Sequence, residues 1–280
     1  MECVVRGIPI NYELQGVGRP ILVLHGTPMD HRGMKSALEP VFASHNKGWS
    51  RIYLDLPGHG KTQGPEWIEN NDQMLDFIID FIDKVIPGQN FALLGESYGG
   101  YLARGLVHKL PSRIDGLFLW CAEIDIPPRN LPVPIVRVRD DKLQAQLNSD
   151  IEREMFRYLV IQKQETLDFG KAHLLPAFQI ADQKFIQRVI DTKFSFDLNS
   201  KKFEKPTVIA CGRQDFVVGY DDAYKILDNY PMGTMLIVDG AGHVLGITEG
   251  KALFDASIHE WIKDMELYPH VESRSPSKSR

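Results

Sequence analysis

Phe91-Ala92-Leu93-Leu94-Gly95-Glu96-Ser97-Tyr98-Gly99-Gly100 is the stretch whose reading decides the fold. Phe91 to Leu94 is an apolar run with the length of a buried strand, and in the segment that follows Leu102, Leu106, Val107 and Leu110 fall at helical spacing. A Gly-x-Ser-x-Gly segment between a strand and a helix carries a mechanism, because the turn that joins them is sharp. The serine at its tip has a strained backbone and an exposed side chain. Residues two positions either side must be small or they collide across the turn, and Gly95 and Gly99 meet that demand. Ser97 is therefore the candidate nucleophile.

Outward from this stretch, the same alternation repeats. Val4 to Leu14 reads as two alternating strands around a tight turn, a hairpin on the sheet edge. Pro20–Leu24, Arg51–Leu54, Gly116–Ala122, Thr207–Cys211 and Met235–Val238 are apolar strands of the kind buried on both faces. Helices are predicted over His31–Asn46, Asp72–Val85, Asp221–Asn229 and Lys251–Met265. Strand–helix alternation of this kind predicts an α/β fold with a mostly parallel, doubly wound sheet. From 126 to 203 the pattern changes. Pro127, Pro128, Pro132 and Pro134 open a segment with helix-like stretches at Lys142–Leu147, Ile151–Gln164 and Ala181–Thr192. That is too long for a plain loop and reads as a helical insertion over the C-terminal strand ends. The core is then 1–125 and 204–265, and the Ser- and Arg-rich residues 266–280 read as a disordered tail.

With a net charge of −5 over 280 residues, there is no electrostatic case for nucleic acid or an anionic membrane. No apolar run reaches transmembrane length. Met1-Glu2-Cys3-Val4-Val5 lacks the basic start and long apolar core of an export signal, and Cys3, Cys121 and Cys211 lie in strand-like runs as reduced thiols. Both features predict a cytoplasmic protein. No His, Cys and carboxylate residues stand at metal-ligand spacing, so neither a metal nor a cofactor is expected.

A serine hydroxyl needs a base to take its proton, and a histidine base needs a carboxylate to hold its tautomer. Asp215 follows the strand at Val208–Cys211, and His243 follows the strand at Met235–Val238 within Asp239-Gly240-Ala241-Gly242-His243. Both lie past C-terminal strand ends, where Ser97 emerges. Glu123 and Asp125, past the preceding strand, are rival acids. His25 reads as a brace for its loop and His59 as part of a turn. Glu96 reads as a hydrogen-bonding neighbour of the nucleophile.

His25-Gly26-Thr27-Pro28, Asp55-Leu56-Pro57-Gly58-His59-Gly60, Gly95-Glu96-Ser97-Tyr98-Gly99 and the Asp215/His243 pair occur in one order on the expected elements. In this the chain resembles the α/β-hydrolase superfamily over nearly all of residues 4–265, with a helical lid inserted between the sixth and seventh strands. The resemblance implies a serine hydrolase acting on a small-molecule ester or thioester through an acyl-enzyme. It maps the oxyanion hole to the backbone N–H groups of Thr27 and Tyr98. It leaves open C–C bond hydrolysis, an aminopeptidase, or a ligand-binding member without turnover. Peptidase relatives usually read His-Gly-Gly-Pro-Gly where this chain has His25-Gly26-Thr27-Pro28-Met29, which counts against that option. Ser97, where relatives that attack through a carboxylate have aspartate, argues against dehalogenase and epoxide hydrolase chemistry. Phe156, Tyr158, Phe169, Phe178 and Phe185 are expected to pack inside the insertion. Arg137, Arg139, Arg153 and Arg157 are expected to solvate its outer surface, unless one faces inward to pair with a substrate carboxylate.

Overall fold

The computed structural model describes residues 2–45, 48–127, 131–157 and 159–267. Its apolar runs form one eight-stranded sheet in the order β1-β2-β4-β3-β5-β6-β7-β8. The strands are β1 (Glu2–Val5), β2 (Ile8–Gly16), β3 (Gly18–Leu24), β4 (Gly48–Leu54), β5 (Phe91–Glu96), β6 (Ile114–Trp120), β7 (Thr207–Gly212) and β8 (Gly233–Val238). The expected hairpin is β1–β2, joined at Arg6 and Gly7, both at positive φ as a two-residue turn with the sheet's twist requires. β2 pairs antiparallel with β4, and every pairing from β4 to β8 is parallel.

Alternation along the strands explains their continuous apolarity. Leu22, Leu24, Leu93, Leu117 and Leu119 point to one face and pack against α2 (Asn71–Val85) and α3 (Tyr98–Lys109). Ile21, Val23, Leu94, Phe118 and Trp120 point to the other, against α1 (His31–His45) and α10 (Lys251–Leu267). A sheet covered on both faces leaves no polar face to read, and each such Leu buried contributes about 1.5–3 kcal/mol. After β3 the chain steps to β4 on one side, then returns to β5 on the other. The C-terminal ends of β3 and β5 thus flank the switch point, where open α/β sheets leave a crevice.

Between β6 and β7 lie α4 (Asp141–Gln144), α5 (Asp150–Arg157), α6 (Gln164–Phe169), a π turn at Gly170–Leu174, α7 (Leu175–Ile180) and α8 (Gln183–Ile190). The single helix predicted over Ile151–Gln164 is not formed. α5 stops at Arg157, and β-branched Val160 and Ile161 run extended, with Arg137 N–H donating to Val160 C=O at 2.8 Å and Gln162 N–H to Val138 C=O at 2.9 Å. The helical run at 164–180 escaped the sequence reading because Gly170 and Pro176 interrupt its pattern. The π turn absorbs the former, and the latter sits in the first turn of α7, where its missing N–H costs nothing. α9 (Asp221–Lys225) ends sooner than expected, giving way to a 3-10 turn at Leu227–Asn229. At the C-terminus, residues 266 and 267 belong to α10 and not to the tail, while 268–280, Pro128 and Tyr158 lie outside the described residues. Among the described residues no helix is long and apolar enough to cross a membrane.

Candidate active site

β5 ends at Glu96 and α3 begins at Tyr98, so Ser97 alone makes the turn, at φ 52° and ψ −121°. Such a backbone costs a non-glycine residue about 1–3 kcal/mol and persists only where its surroundings over-determine it. They do so here. Ser97 C=O accepts from the N–H groups of Gly100, Tyr101 and Glu123, and Ser97 N–H donates to Trp120 C=O at 3.0 Å. A Cβ on Gly99 would lie 2.4 Å from Leu24 O, and one on Gly95 would lie 2.4 Å from Gly99 O. Both glycines are required by close approach.

His243 meets this serine from the loop after β8, with Nε2 3.2 Å from Ser97 Oγ. Its Nδ1 is 2.9 Å from Asp215 Oδ2. Asp215 is fully buried, and its other oxygen accepts from the N–H groups of Val217 and Val218 at 2.9 and 3.1 Å. The carboxylate is thereby fixed with one oxygen left for histidine. Glu123 makes no such contact, and Asp125 pairs with Lys193 at 3.1 Å. Of the three acids proposed from sequence, only Asp215 reaches the ring. Burial disfavours the charged imidazole, but Asp215, with Glu96 and Glu123, outweighs it and pushes the His243 pKa up to about 9.

Two residues not singled out from sequence hold these loops together. Gln214 donates to Asp239 Oδ1 at 2.9 Å and accepts from Gly240 N–H at 2.7 Å, tying the loop after β7 to the loop after β8. Glu249 accepts from Gly242 N–H at 2.8 Å and from Ile161 N–H at 2.7 Å, joining the histidine loop to the segment between β6 and β7.

The loop after β3 is braced by His25, as expected, and the bonding fixes its tautomer. Leu56 N–H donates to His25 Nε2 at 3.1 Å, so the proton is on Nδ1, which donates to Gly26 C=O at 2.8 Å. Met29 N–H reaches the same carbonyl at 2.9 Å. With its C=O held on one side, the Gly26–Thr27 peptide directs its N–H to the other. His59 does more than shape a turn. Its Nδ1–H donates to Pro57 C=O, so Nε2 accepts from the Thr27 hydroxyl at 3.1 Å. Among the described residues, the N–H groups of Thr27 and Tyr98 donate to no protein acceptor.

Glu96 is closer to the chemistry than the sequence reading placed it. One oxygen accepts from Gly26 N–H at 2.8 Å, and the other stands 3.5 Å from His243 Nε2. Burial pushes its pKa up to about 7, against the pull of His243.

Above these groups opens a cavity of about 320 Å³. Glu96 and His243 lie on its wall with Met155, Phe156, Leu167, Leu174, Phe178 and Val244. Phe156, Phe169 and Phe178 therefore face the cavity, whereas Phe185 packs in the main core. Among the described residues, none of the four arginines singled out faces inward. Arg137, Arg139, Arg153 and Arg157 are exposed and paired with Asp239, Asp141, Asp150 and Glu154. Lys171 lines the cavity, 3.7 Å from Glu152.

Spacing along the sequence did not disclose two groups of possible metal ligands. Cys121, Asp215 and His243 each bring a ligand atom within 4.8 Å of the others, as do Asp30, His31 and Asp55. In the first, burial raises the Cys121 pKa well above its usual value, keeping it a thiol, and His243 and Asp215 are engaged with each other. In the second, Asp55 accepts from His31, Asn11 and Lys61, and Asp30 from Arg32. A cation would have to displace bonds already made.

The alpha/beta hydrolase fold family model matches residues 19–250. A pimeloyl-[acyl-carrier protein] methyl ester esterase of Legionella pneumophila (strain Paris) is 24% identical over 261 residues, covering 91% of this chain and 99% of its own. A 2-hydroxy-6-oxo-6-(2'-aminophenyl)hexa-2,4-dienoic acid hydrolase of Metapseudomonas resinovorans is 22% identical over 265 residues, covering 85% and 82%. Among solved structures, an alpha/beta superfamily hydrolase from Oenococcus oeni PSU-1 superposes with a TM-score of 0.84 at 28% identity, covering 95% of this chain and 99% of its own.

Proposed function

The chain belongs to the α/β-hydrolase family, and we propose that on this fold it is a serine hydrolase cleaving a small-molecule carboxylic ester or thioester. The observation that carries the reading is the line Ser97 Oγ–His243 Nε2 at 3.2 Å and His243 Nδ1–Asp215 Oδ2 at 2.9 Å. Ser97 Oγ attacks the carbonyl carbon while His243 takes its proton. Asp215 holds the ring in the tautomer that can accept at Nε2 and stabilises the imidazolium that forms. The negative charge reaches the carbonyl oxygen, where the N–H groups of Thr27 and Tyr98 receive it; one such donor is worth about 3 kcal/mol. As the intermediate collapses, His243 gives the proton to the leaving alcohol or thiol. Water, deprotonated by the same histidine, then releases the acid from Ser97.

Residues 126–203 form the lid of this reading, over a core of 1–125 and 204–265. The cavity they share supports a neutral, largely apolar acyl group. A dienoic acid, as in the Metapseudomonas relative, would bring a carboxylate to a wall holding Glu96, Glu152 and Glu154, with Lys171 already against Glu152. Ester hydrolysis is therefore preferred over C–C cleavage. Free Cys3, Cys121 and Cys211 support a reducing compartment, the cytoplasm. A small fluorophosphonate should label Ser97, and p-nitrophenyl esters of graded acyl length should be turned over. A protein that neither labels nor turns over any ester would overturn the ester-hydrolase reading.

The cavity wall should set acyl preference. Leu167 lines the cavity, so Leu167→Trp takes up part of its space and is expected to cut turnover of long-chain esters at least about tenfold relative to acetate, with labelling retained. Arg153→Leu should leave the ratio of acidic to neutral esters unchanged, because its guanidinium holds Asp150 outside. Equal losses on all esters together with lost labelling would mean that the segment supports the fold and does not select substrates.

A further inference from the structure

His243 is flanked by carboxylates on both ring nitrogens, and only one of them serves the usual purpose of orienting a base. Asp215 holds Nδ1. On the Nε2 side, Glu96 Oε1 at 3.5 Å and Ser97 Oγ at 3.2 Å approach the same nitrogen. Glu96 cannot swing away. It is 5% exposed, its other oxygen is bonded to Gly26 N–H, and a Cβ on Gly26 would come within 2.3 Å of that oxygen. The loop after β3 thus holds the carboxylate beside the histidine.

Taking Ser97 and His243 in the roles proposed above, we propose that Glu96 is a positioning residue that competes with Ser97 for the Nε2 proton of His243. It holds the resting site as a carboxylate–imidazolium pair and confines full activity to alkaline pH. A protonated Nε2 cannot accept from Ser97, so the resting pair is idle. Once His243 is neutral, the same carboxylate favours the imidazolium that proton transfer creates. Where it is ionised, Glu96 therefore lowers activity along the acid limb and raises the alkaline plateau. The other groups facing His243 are Asp215 from the loop after β7, Glu123 past the end of β6, and the Cys121 thiol beside them. Asp215 and Glu123 also favour the imidazolium, but neither contacts Nε2. The raised pKa of His243, about 9, agrees in sign with this arrangement.

Glu96→Gln tests it, since an amide oxygen still accepts from Gly26 N–H while the charge is gone. The rate of Ser97 labelling by a small fluorophosphonate, followed from pH 6 to 10, should give crossing profiles. The acid limb of Glu96→Gln should lie at least about one pH unit lower, making labelling severalfold faster near pH 8, where Glu96 is ionised, with a lower limiting rate toward pH 10. Glu123→Gln should move the limb less. In a Ser97→Ala background, NMR titration of the His243 imidazole should fall by a matching amount on Glu96→Gln. Profiles that stay parallel, or an unmoved imidazole titration, would overturn the proposal and leave Glu96 as a loop brace only. Failure of the wild-type protein to label at any pH would instead remove the hydrolase reading, while the NMR titration would still report the Glu96–His243 coupling.

Discussion

Ser97→Ala is expected to lower ester turnover on the order of 10⁴-fold or more while leaving thermal stability nearly unchanged. The size follows from the role. On the proposed mechanism no acyl-enzyme forms without Oγ, and what remains is attack by water on a carbonyl polarised by the donors assigned to it, the Thr27 and Tyr98 N–H groups, a residual that such sites keep when the nucleophile is lost. The small stability effect follows from the contacts. The turn is held by backbone hydrogen bonds and by the close approaches at Gly95 and Gly99, and alanine keeps all of them. The deleted hydroxyl makes one bond, to His243, whose net worth is about 1 kcal/mol. Intact-mass measurement after fluorophosphonate treatment should show one adduct on the wild type and none on the variant. Substantial ester turnover by Ser97→Ala, or a labelled residue elsewhere, would move the nucleophile from this turn.

The elbow was legible in the sequence because its demands are local. Small residues must stand at 95 and 99 whatever lies around them, and the strand and helix on either side declare themselves by period. Asp215 and His243 were legible for a coarser reason: each follows an apolar strand, and parallel strands bring their C-terminal ends to one edge. What decides between Asp215, Glu123 and Asp125 is a matter of ångströms across the sheet, and no pattern along the chain encodes it. The same holds for Glu96. Its place beside the serine was plain, but its second contact depends on how the loop after β3 folds back, which follows from the bonding of His25. Gln214 and Glu249 clamp loops that are distant in sequence, so their amide and carboxylate looked like ordinary polar residues. The segment from 126 to 203 is the least legible part of the chain. Its helices are short, Gly170 and Pro176 break their period, and Val160-Ile161 turns a promising helical run into extended chain. The direction of its arginines depends on where Asp239, Asp141, Asp150 and Glu154 stand, and only the last three are sequence neighbours of their partners.

Asp215→Asn is expected to cost about 10⁴-fold in turnover, against tenfold or less for Glu123→Gln. Asparagine can keep the acceptor that Val217 and Val218 N–H groups use, so the buried loop after β7 should stay folded. What it turns toward His243 is then an NH₂ group, which donates to Nδ1 and leaves the ring proton on Nε2, facing Ser97. A protonated Nε2 accepts nothing, and the base is lost although every atom is nearly in place. Loss of the carboxylate also removes the strongest influence that raises the His243 pKa. The imidazole should therefore titrate at lower pH, and the turnover that survives should be flatter in pH through the neutral range. Glu123 sits in partial burial that pushes its pKa up to about 7, and its influence on His243 is through space and not through a hydrogen bond. Removing its charge should shift the acid limb modestly downward and leave the plateau intact. The two variants separate cleanly in kcat measured on one p-nitrophenyl ester across pH 6 to 10. If Glu123→Gln is the crippling change and Asp215→Asn the mild one, the orienting carboxylate comes from the end of β6, and the hydrogen bond between Asp215 and His243 does not carry the reaction.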